Sequence, residues 1–268
     1  MKEANSQKQS DSMRSRVRTS ILLLLLALVA VTATTVAWFS IADRARVRTM
    51  SLDIISGVDL RMDLDAHDTI EAYKKTLSFE EIASRIQVEK GFSMKEIPLE
   101  PVTTIDQRSF TFENGAVASA KSGAYLEFTL HFMAAKDMIV HLTSADSSKN
   151  IRDGTAILSD TSSLSEAMRI SFEADGICYV YDPGLGDTMT KTTSARTFGL
   201  LPSEQMILNE NNENNAMFSL KEGEDKAVLV HIWLEGTDPL CTDELKSAEY
   251  AIRLRFTGTD SSNQAFDH

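Results

Sequence analysis

Histidines are the residues of this sequence best suited to metal or acid–base chemistry, and five of them are scattered along the 268-residue chain. His131, His141 and His231 lie within segments whose apolar and polar residues alternate, which predicts β-strands. The alternation places His131 and His231 on the faces opposite the large apolar side chains. A zinc site would need all three imidazoles to converge. Nothing in their spacing requires this, so surface or partly packed histidines are the favoured interpretation.

An acidic stretch near the C-terminal end is a second candidate site. Glu235, Asp238, Asp243 and Glu244 carry carboxylate oxygens, which Ca²⁺ prefers as ligands. Their spacing does not match an EF-hand, and a solvated acidic turn is the favoured alternative. The sequence also contains no H-E-x-x-H, G-x-S-x-G or G-x-x-x-x-G-K-[ST] motif. We therefore assign no catalytic residue and expect no cofactor.

The two cysteines of the chain, Cys178 and Cys241, allow one disulfide at most. Disulfides persist in oxidising compartments, so a bridge is compatible with an exported protein. Two free thiols are the other interpretation, because many exported bacterial proteins have no bridge.

Residues 21–39 indicate where the protein lies. The segment holds nineteen residues without a charge, opens with leucines at 22–26 and ends at Trp38 and Phe39. A helix of this length, at about 1.5 Å per residue, just crosses a hydrocarbon core of about 30 Å. It is either a retained transmembrane anchor, with Trp38 and Phe39 at the membrane interface, or a signal peptide cleaved after Ala33 or Ala37.

The charges that flank this segment predict its orientation. Five Lys or Arg residues precede it and three follow it, which favours a cytoplasmic N-terminus and an exported C-terminal part. Residues 41–268 carry 22 basic and 37 acidic side chains, a net charge of −15. Such a domain repels nucleic acid, which we exclude as a partner. We expect a membrane protein with an extracytoplasmic domain, or a cell-surface protein after cleavage.

Short alternating segments beyond residue 40 predict a mainly β fold. The clearest are Leu126–Phe132, Val228–Leu234 and Tyr250–Phe256, and Met138–Leu142 is expected as the hairpin partner of the first. Eight or nine such strands with turn signals between them are typical of an antiparallel β-sandwich or jelly roll. Trp233 is expected to have a structural role in this core, near the end of a strand buried on both faces.

Two segments depart from the strand pattern. Residues 66–90 have helical spacing, and Ser78 to Glu81 fits a capping box, so we expect a small helical insertion there. Residues 183–227 are rich in Gly, Ser, Thr and Asn and are expected to be the loosest part. The predicted organisation is a cytoplasmic tail at 1–20, a transmembrane or signal helix at 21–39, an extracytoplasmic β-sandwich domain at 40–258 and a flexible tail at 259–268.

The first strand after the apolar segment has two possible pairings. Val47–Ile54 alternates and is followed by a turn or bulge at Ser56-Gly57 and by a second strand. Held by that turn, the strand would pair within its own domain, which is the favoured interpretation. Freed by cleavage after Ala37, it would be an arm that adds to the sheet edge of a neighbouring copy and builds filaments.

Several short residue strings occur together in a recognisable order. They are Ala37-Trp38-Phe39, Pro101–Thr104, Tyr125–Phe128, Ala167–Ile170 and the segment Ile232–Pro239 ahead of Cys241. Together they resemble a poorly characterised family of envelope proteins from anaerobic Gram-positive bacteria. The Trp-Phe end of the apolar segment is also similar to that of camelysin/TasA-like matrix-fibre proteins, which are exported jelly-roll subunits. This second resemblance covers little beyond that point and the β class.

The resemblance implies a non-enzymatic structural or assembly protein of the cell surface, such as a matrix-fibre or pilus-like subunit. Its partners would be the membrane through residues 21–39 unless these are cleaved, other copies of itself, or envelope proteins. A membrane-anchored module that binds an extracellular ligand or protein is the alternative. A surface metallohydrolase is a third interpretation, which the absent motifs disfavour.

Protease added to intact, wall-stripped cells should degrade the residues after Ser40 and leave the tail before Ser20 protected. The reason is the uncharged segment at 21–39 with its more basic N-terminal flank. Immunoblotting with antibodies to each end measures both outcomes, and lysed cells are the control in which both ends are cut. Survival of the acidic C-terminal domain on intact cells would contradict export.

Overall fold

The computed structural model describes the chain in separate stretches. These are residues 20–24, 45–56, 59–96, 99–142, 154–183, 188–192, 204–207, 216–242, 245 and 248–261. The chain divides into two units between Asp43 and Arg44. In the first unit, residues 20–24 are helical, and the predictions made for residues 25–39, including Trp38 and Phe39, lie outside the described residues. Within the described stretches, no helix is long and apolar enough to cross a membrane.

The second unit is built mainly from β-strands, which confirms the predicted class. The described residues contain fifteen strands: β1 (Arg46–Ser56), β2 (Leu60–Asp63), β3 (Thr76–Leu77), β4 (Pro101–Thr104), β5 (Phe110–Thr111), β6 (Leu126–Ala134), β7 (Met138–Leu142), β8 (Ala156–Ser159), β9 (Met168–Ala174), β10 (Ile177–Asp182), β11 (Thr188–Thr192), β12 (Glu204–Ile207), β13 (Ala216–Leu220), β14 (Lys226–Glu235) and β15 (Glu249–Thr259). The helices of this unit are α1 (Phe79–Lys90), α2 (Ser162–Ala167) and the 3-10 helices Ile70–Ala72 and Ala120–Ser122.

The strands form two mixed sheets. The six-stranded sheet has the order β13-β7-β15-β1-β3, with β8 also paired to β15. The nine-stranded sheet has the order β12-β11-β10-β9-β14-β4-β5, with β6 paired to β14 and β2 paired to β6. Most neighbours are antiparallel, but β1 runs parallel to β15 and β4 runs parallel to β14. The expected antiparallel arrangement is therefore only partly right, because alternation within a strand does not reveal the direction of its partner.

Large side chains from both sheets meet in a common core. The ring of Phe256 in β15 contacts Phe132 of β6 and Phe172 of β9, at centroid distances of 5.2 and 6.0 Å. Phe132 also meets Phe218 of β13 at 5.4 Å. These inclined ring pairs add to the gain from apolar burial. The alternation of β6 and β15 follows from this core, since every second side chain of each strand is buried in it.

The strand β14 is buried on both faces, as the sequence predicted. Val230 and Ile232 belong to the core between the sheets, whereas Trp233 lies on the opposite face in a second apolar cluster. The indole of Trp233 is fully buried and meets Phe110 edge-on at a centroid distance of 5.4 Å. A strand covered on both sides carries apolar residues at nearly every position, which explains the pattern of this segment.

The capping box forms as expected, and a two-residue turn joins β9 to β10. Ser78 and Glu81 form the capping box of α1: the Ser78 hydroxyl accepts from the Glu81 amide, and the Ser78 amide donates to the Glu81 carboxylate at 2.8 Å. Asp175 and Gly176 join β9 to β10 with φ values of 52° and 77°. A two-residue hairpin turn that matches the twist of its strands needs positive φ at both of its residues.

One pairing prediction is wrong, and a second is confirmed through a different partner strand. The strand β7 is not the hairpin partner of β6: it lies between β13 and β15 in the six-stranded sheet, whereas β6 pairs with β14 and β2 in the other sheet. The strand β1 pairs within its own domain, as favoured, but its long partner is β15, and the strand that follows it, β2, belongs to the other sheet. At both places a short connection passes from one sheet to the other. Such a connection has the same local sequence signals as a hairpin turn.

The segment expected to be the loosest, residues 183–227, contains three strands and the start of β14. Within it, β11 pairs with β10 from Thr188 opposite Asp182 to Thr192 opposite Cys178. Threonine suits strands as well as turns, so the Thr-rich composition did not distinguish the two. Residues 193–203 and 208–215 of this segment lie outside the described residues. At the C-terminal end, β15 continues to Thr259, one residue into the expected tail.

Trp233→Ala should lower the free energy of unfolding by about 3–5 kcal/mol, because it removes a large side chain from a buried cluster and leaves a cavity. Denaturant unfolding followed by circular dichroism measures this change. Val117→Ala is the matched control, since that apolar side chain is 81% exposed and its truncation should change stability by less than about 0.5 kcal/mol. A loss well under about 1 kcal/mol for Trp233→Ala would contradict the buried position of the ring.

Candidate functional site

The face of the nine-stranded sheet that carries Trp233, here called the outer face, gathers buried polar residues. Residues directly opposite one another on neighbouring antiparallel strands point to the same face. Two adjacent rows therefore run across β6, β14 and β9. The first row is Glu127, His231 and Ser171, and the second row is Thr129, Leu229 and Glu173.

Residues 101–125, here called the cover segment, lie over part of the outer face. Their apolar side chains form one buried cluster with Trp233 and with residues of β10. The rings of Phe110 and Tyr125 stack at a centroid distance of 4.0 Å. Both rings contact the imidazole of His231, at 5.3 and 5.8 Å. The cover segment therefore turns the first polar row into part of the protein interior.

His231 is the central residue of the first row. Its Nε2 lies 3.0 Å from one carboxylate oxygen of Glu127, and the other oxygen accepts a hydrogen bond from Lys90 of α1 at 2.5 Å. The hydrogen bond from His231, helped by Lys90, outweighs burial and holds the pKa of the Glu127 carboxyl at about 2. Within the described residues, neither His231 Nδ1 nor the Ser171 hydroxyl has a hydrogen-bond partner.

A serine, a histidine and a glutamate in one row resemble the composition of a nucleophilic triad. Ser171 and His231 are each 1% exposed, and the cover segment separates them from solvent. A triad also needs a hydrogen bond between nucleophile and base, and Ser171 Oγ makes none to His231. In this arrangement the row is better suited to holding the sheet and cover segment together than to catalysis.

An open groove of about 470 Å³ lies beside the cover segment, over the second row. Its lining includes Thr129, Leu229, Glu173, Asp175, Ala227 and Arg108. Arg108 comes from the cover segment and donates to the Glu173 carboxylate through Nε at 3.1 Å. On the opposite side, Lys226 donates to Asp175 at 2.9 Å. The lining residues Arg108, Glu173 and Asp175 carry one positive and two negative charges, and Lys226, outside the lining, is shared between Asp175 and Glu224.

A buried ionic cluster lies at the other end of the outer face. The Arg169 side chain is 1% exposed, its Nε is 2.8 Å from Asp182, and its Nη2 donates to Asp238 at 2.6 Å. Its Nη1 donates to two backbone carbonyl oxygens, at 2.6 and 2.9 Å. A guanidinium removed from water needs negative partners and acceptors for its donors, and this cluster supplies both.

The acidic stretch after β14 differs from the solvated turn that the sequence favoured. Glu235 is fully buried and accepts from the Trp233 indole nitrogen at 3.0 Å, and Asp238 is buried against Arg169. These carboxylate oxygens are already filled by donors from the protein, which does not support the Ca²⁺ assignment of Glu235 and Asp238. The third residue of that assignment, Asp243, lies outside the described residues.

Both cysteines are free thiols in the structure. Cys178 belongs to the cluster of the outer face, whereas Cys241 packs against the core between the sheets. Burial raises the pKa of both thiols to about 11. Of the two interpretations that the sequence left open, the structure has the unbridged one, with both thiols protonated near neutral pH.

The three strand histidines do not converge. His131 Nδ1 lies 2.9 Å from Asp225, and His141 of β7 lies in the other sheet with its Nε2 2.8 Å from the Thr259 hydroxyl. His231 lies against Glu127, so each of the three imidazoles has a different partner. Among the described residues, no three His, Cys, Asp or Glu side chains are grouped so as to hold a metal ion.

No protein-family model matches the chain, and neither a curated protein nor a solved structure matches it. The site is therefore defined by its own geometry. Sequence reasoning missed Arg169 and Ser171, which occupy the polar positions of the alternating strand β9. Alternation assigns such positions to solvent, and no local signal shows that another segment covers them.

Glu127→Gln should lower the free energy of unfolding by about 1–3 kcal/mol near neutral pH and by little at pH 2. The folded-state pKa of this carboxyl is about 2 against an ordinary 4.5, so its contribution is complete above pH 4.5 and is lost as the pH falls towards 2. Denaturant unfolding at intervals between pH 2 and 7 measures the difference from the natural protein.

Glu96→Gln is the control for this pH series, because Glu96 is exposed in the loop after α1. Its stability curve should run parallel to that of the natural protein. A difference between Glu127→Gln and the natural protein that stayed constant from pH 2 to 7 would show that the His231 and Lys90 contacts do not depend on the charge of Glu127.

Proposed function

We propose that the chain is a non-enzymatic structural or assembly protein of the cell surface, a subunit that builds fibres from copies of itself. Residues 21–39 would hold it in the membrane until cleavage, and the β domain would lie outside the cytoplasm. The acidic composition of residues 41–268 supports a solvated domain that does not bind nucleic acid. The resemblance to envelope proteins and, more distantly, to camelysin/TasA-like matrix-fibre proteins supports the same assignment.

The finer description of the fold belongs to this proposal. We take the two sheets to form a β-sandwich of the jelly-roll kind, and the ring contacts of Phe256 with Phe132 and Phe172 support it. Exported fibre subunits of this kind need a rigid body whose sheet edges can receive a further strand. The parallel pairing of β1 with β15 is a departure from a simple up-and-down or Greek-key arrangement, and it bears directly on assembly.

The observation that carries the proposal is the pairing of β1. This strand joins β15 over nine residue pairs, from Arg46 opposite Glu249 to Ser56 opposite Thr257. On its other side, β3 pairs with it at two residues within the described part of the chain. Along the first half of β1 the described residues add no strand on this side, and β1 begins seven residues after Phe39 in the chain. A terminal strand in this position can be exchanged between copies, because a neighbour's β1 fills the same place in the sheet.

The buried side chains of β1 explain why the exchange would be specific. Met50 and Leu52 are 1% and 0% exposed and fill positions in the core. An arm that left its own domain would expose both side chains and the edge of β15, and the arm of another copy would cover them again. The arm buries the same side chains in either copy, so exchange costs little once copies are close.

A ligand-binding module is the second candidate function. The observation that favours it is the open groove over the second row, which is lined by Leu229 and Thr129 together with the charged side chains of Arg108, Glu173 and Asp175. An enzymatic role has less support, because Ser171 and His231 are enclosed and the carboxylates of the acidic stretch are bound to protein donors.

A disulfide between β1 and β15 of the same subunit tests strand exchange. Thr49 and Ala251 are register partners on these strands, so Thr49→Cys with Ala251→Cys should close a bridge. Residues 38–268 should form filaments, whereas the oxidised double variant should stay monomeric by size-exclusion chromatography and electron microscopy. Reduction of the bridge should restore the filaments.

The matched control is Ile139→Cys with Ser219→Cys, a register pair of β7 and β13 that does not involve β1. Its oxidised form should assemble like the natural sequence. Filaments from the oxidised Thr49–Ala251 variant whose subunits run as single chains on a non-reducing denaturing gel would rule out donation of β1, because a donated β1 would form the same bridge between two copies. If residues 38–268 of the natural sequence stay monomeric at high concentration, the fibre proposal is wrong and the protein is a single anchored domain.

A further inference from the structure

We propose that Arg48, an extra residue in the first strand, closes one edge of the six-stranded sheet to strands from other copies of the chain. The edge is the side of β1 that faces away from β15. The proposal does not depend on the fibre assignment, because a folded subunit has this edge whether or not β1 is exchanged. It rests on the length of the edge, on the position of the extra residue and on the charges beside it.

Two contacts bound this edge of β1. At one end, the Ala45 carbonyl oxygen accepts a hydrogen bond from the Leu99 amide at 3.0 Å. At the other end, β3 pairs with β1 from Leu52 onwards. Between these contacts, at residues 46–51, no strand among the described residues pairs with this side of β1, and we call this part the edge gap. Six residues are the length of an ordinary strand, so the length of the gap alone would admit one.

Hydrogen bonds at the two ends show which residues face the edge gap. Successive residues of a strand direct their peptide groups to opposite sides, so the residues that face one side are two apart. Since the Ala45 carbonyl faces this side, Val47 faces it too. At the other end, the Ile54 amide donates to the chain just ahead of β3, at 2.9 Å. Counting back by twos from Ile54 gives Leu52 and Met50 as the residues on this side.

Arg48 puts these two counts out of step. The register of β1 with β15 shifts between Val47 and Thr49, which leaves Arg48 without a partner on β15, as a β-bulge. The gap-facing residues on either side of it, Val47 and Met50, are therefore three apart instead of two. A regular strand offers its donors and acceptors at intervals of two residues. It can match one of these residues but not both, so it cannot form a continuous ladder along the gap.

Charge also acts against the approach of a second copy of β1. Arg46 is exposed, and the Arg48 side chain is 71% exposed. The ion pair of Arg48 with Glu249, at 3.7 Å, is a weak surface pair because both side chains are solvated. Two copies of β1 side by side would bring arginines next to arginines, and like charges across a strand pair are destabilising. Bulges and charged side chains are two means by which folded proteins keep sheet edges from joining.

The core of the subunit does not need the bulge. Val47 and Met50 are 6% and 1% exposed, and both belong to the core between the sheets. Without Arg48, each would keep its register partner on β15, and Arg46 and Thr49 would still point outward. The gap-facing residues would then be two apart along the whole edge. A bulge that the packing of the subunit does not require points to a role between subunits.

The test uses the full chain in detergent, with β1 held in its own domain by the oxidised Thr49→Cys and Ala251→Cys bridge, so that strand exchange cannot contribute. Deletion of Arg48 from this bridged parent should let copies associate at roughly tenfold lower concentration, the equivalent of one or two added backbone hydrogen bonds. Analytical ultracentrifugation measures the association. Hydrogen exchange of the associated form should show new protection of the amides of residues 46–51.

Arg48→Ala in the same bridged parent is the matched control, because it removes the charge and keeps the extra residue, and it should leave association unchanged. Thermal unfolding shows whether both variants fold. If the deletion variant does not fold, hydrogen exchange of the bridged parent decides: the amides of residues 46–51 should exchange at a rate that does not depend on protein concentration.

Four results would overturn the proposal. The deletion variant could stay monomeric, it could associate without protection of residues 46–51, or Arg48→Ala could associate as readily as the deletion variant. Concentration-dependent protection of residues 46–51 in the bridged parent is the fourth, since the edge would then accept strands with Arg48 in place. Because β1 cannot leave its domain in any of these proteins, none of the four results bears on strand exchange.

Discussion

A guanidinium that is shielded from water requires negative charge and hydrogen-bond acceptors on every side, and Arg169 finds them in three separate parts of the chain. Asp182 comes from the end of β10 and Asp238 from the turn after β14, while the carbonyl oxygens come from the chain just before Arg169 and from β9 itself. The cluster therefore fixes the turn after β14 against the sheet.

The position of that turn decides the environment of the adjacent aromatic cluster. Glu235, at the end of β14, accepts a hydrogen bond from the indole of Trp233 and is fully buried. The indole in turn packs under the cover segment with Phe110. These contacts follow one another along the outer face, so the charge pairing at one end lies next to the aromatic packing in the middle. The His231 and Glu127 pair, tied to α1 through Lys90, continues the same face towards the open groove.

The two faces of the nine-stranded sheet consequently differ in polarity. One is apolar and shared with the other sheet, with the phenylalanine contacts between β6, β9 and β15 at its centre. The other is mixed, because the residues beneath the cover segment include polar groups that pair with one another. Paired polar groups help to specify a single arrangement where apolar contacts alone would tolerate several. The exceptions among the described residues of the first row are the Ser171 hydroxyl and the Nδ1 atom of His231, which have no partner there.

The sequence by itself determined the elements whose signals are local. Alternation identified β6, β14 and β15, and the Ser78–Glu81 box marked the start of α1. Each depends on residues within a few positions of one another, so the chain need not be folded for the pattern to be visible.

Only the tertiary structure decided which strands pair and which polar residues are buried. The partner of β1 is β15, about two hundred residues away, and the partner of Asp238 is Arg169, 69 residues away. Local pattern assigned β7 to the sheet of β6, and it assigned the acidic stretch to solvent. Both assignments failed because they depend on distant parts of the chain. The direction in which a strand pairs depends on its partner strand, and the burial of a polar face depends on a segment that packs on it, such as residues 101–125.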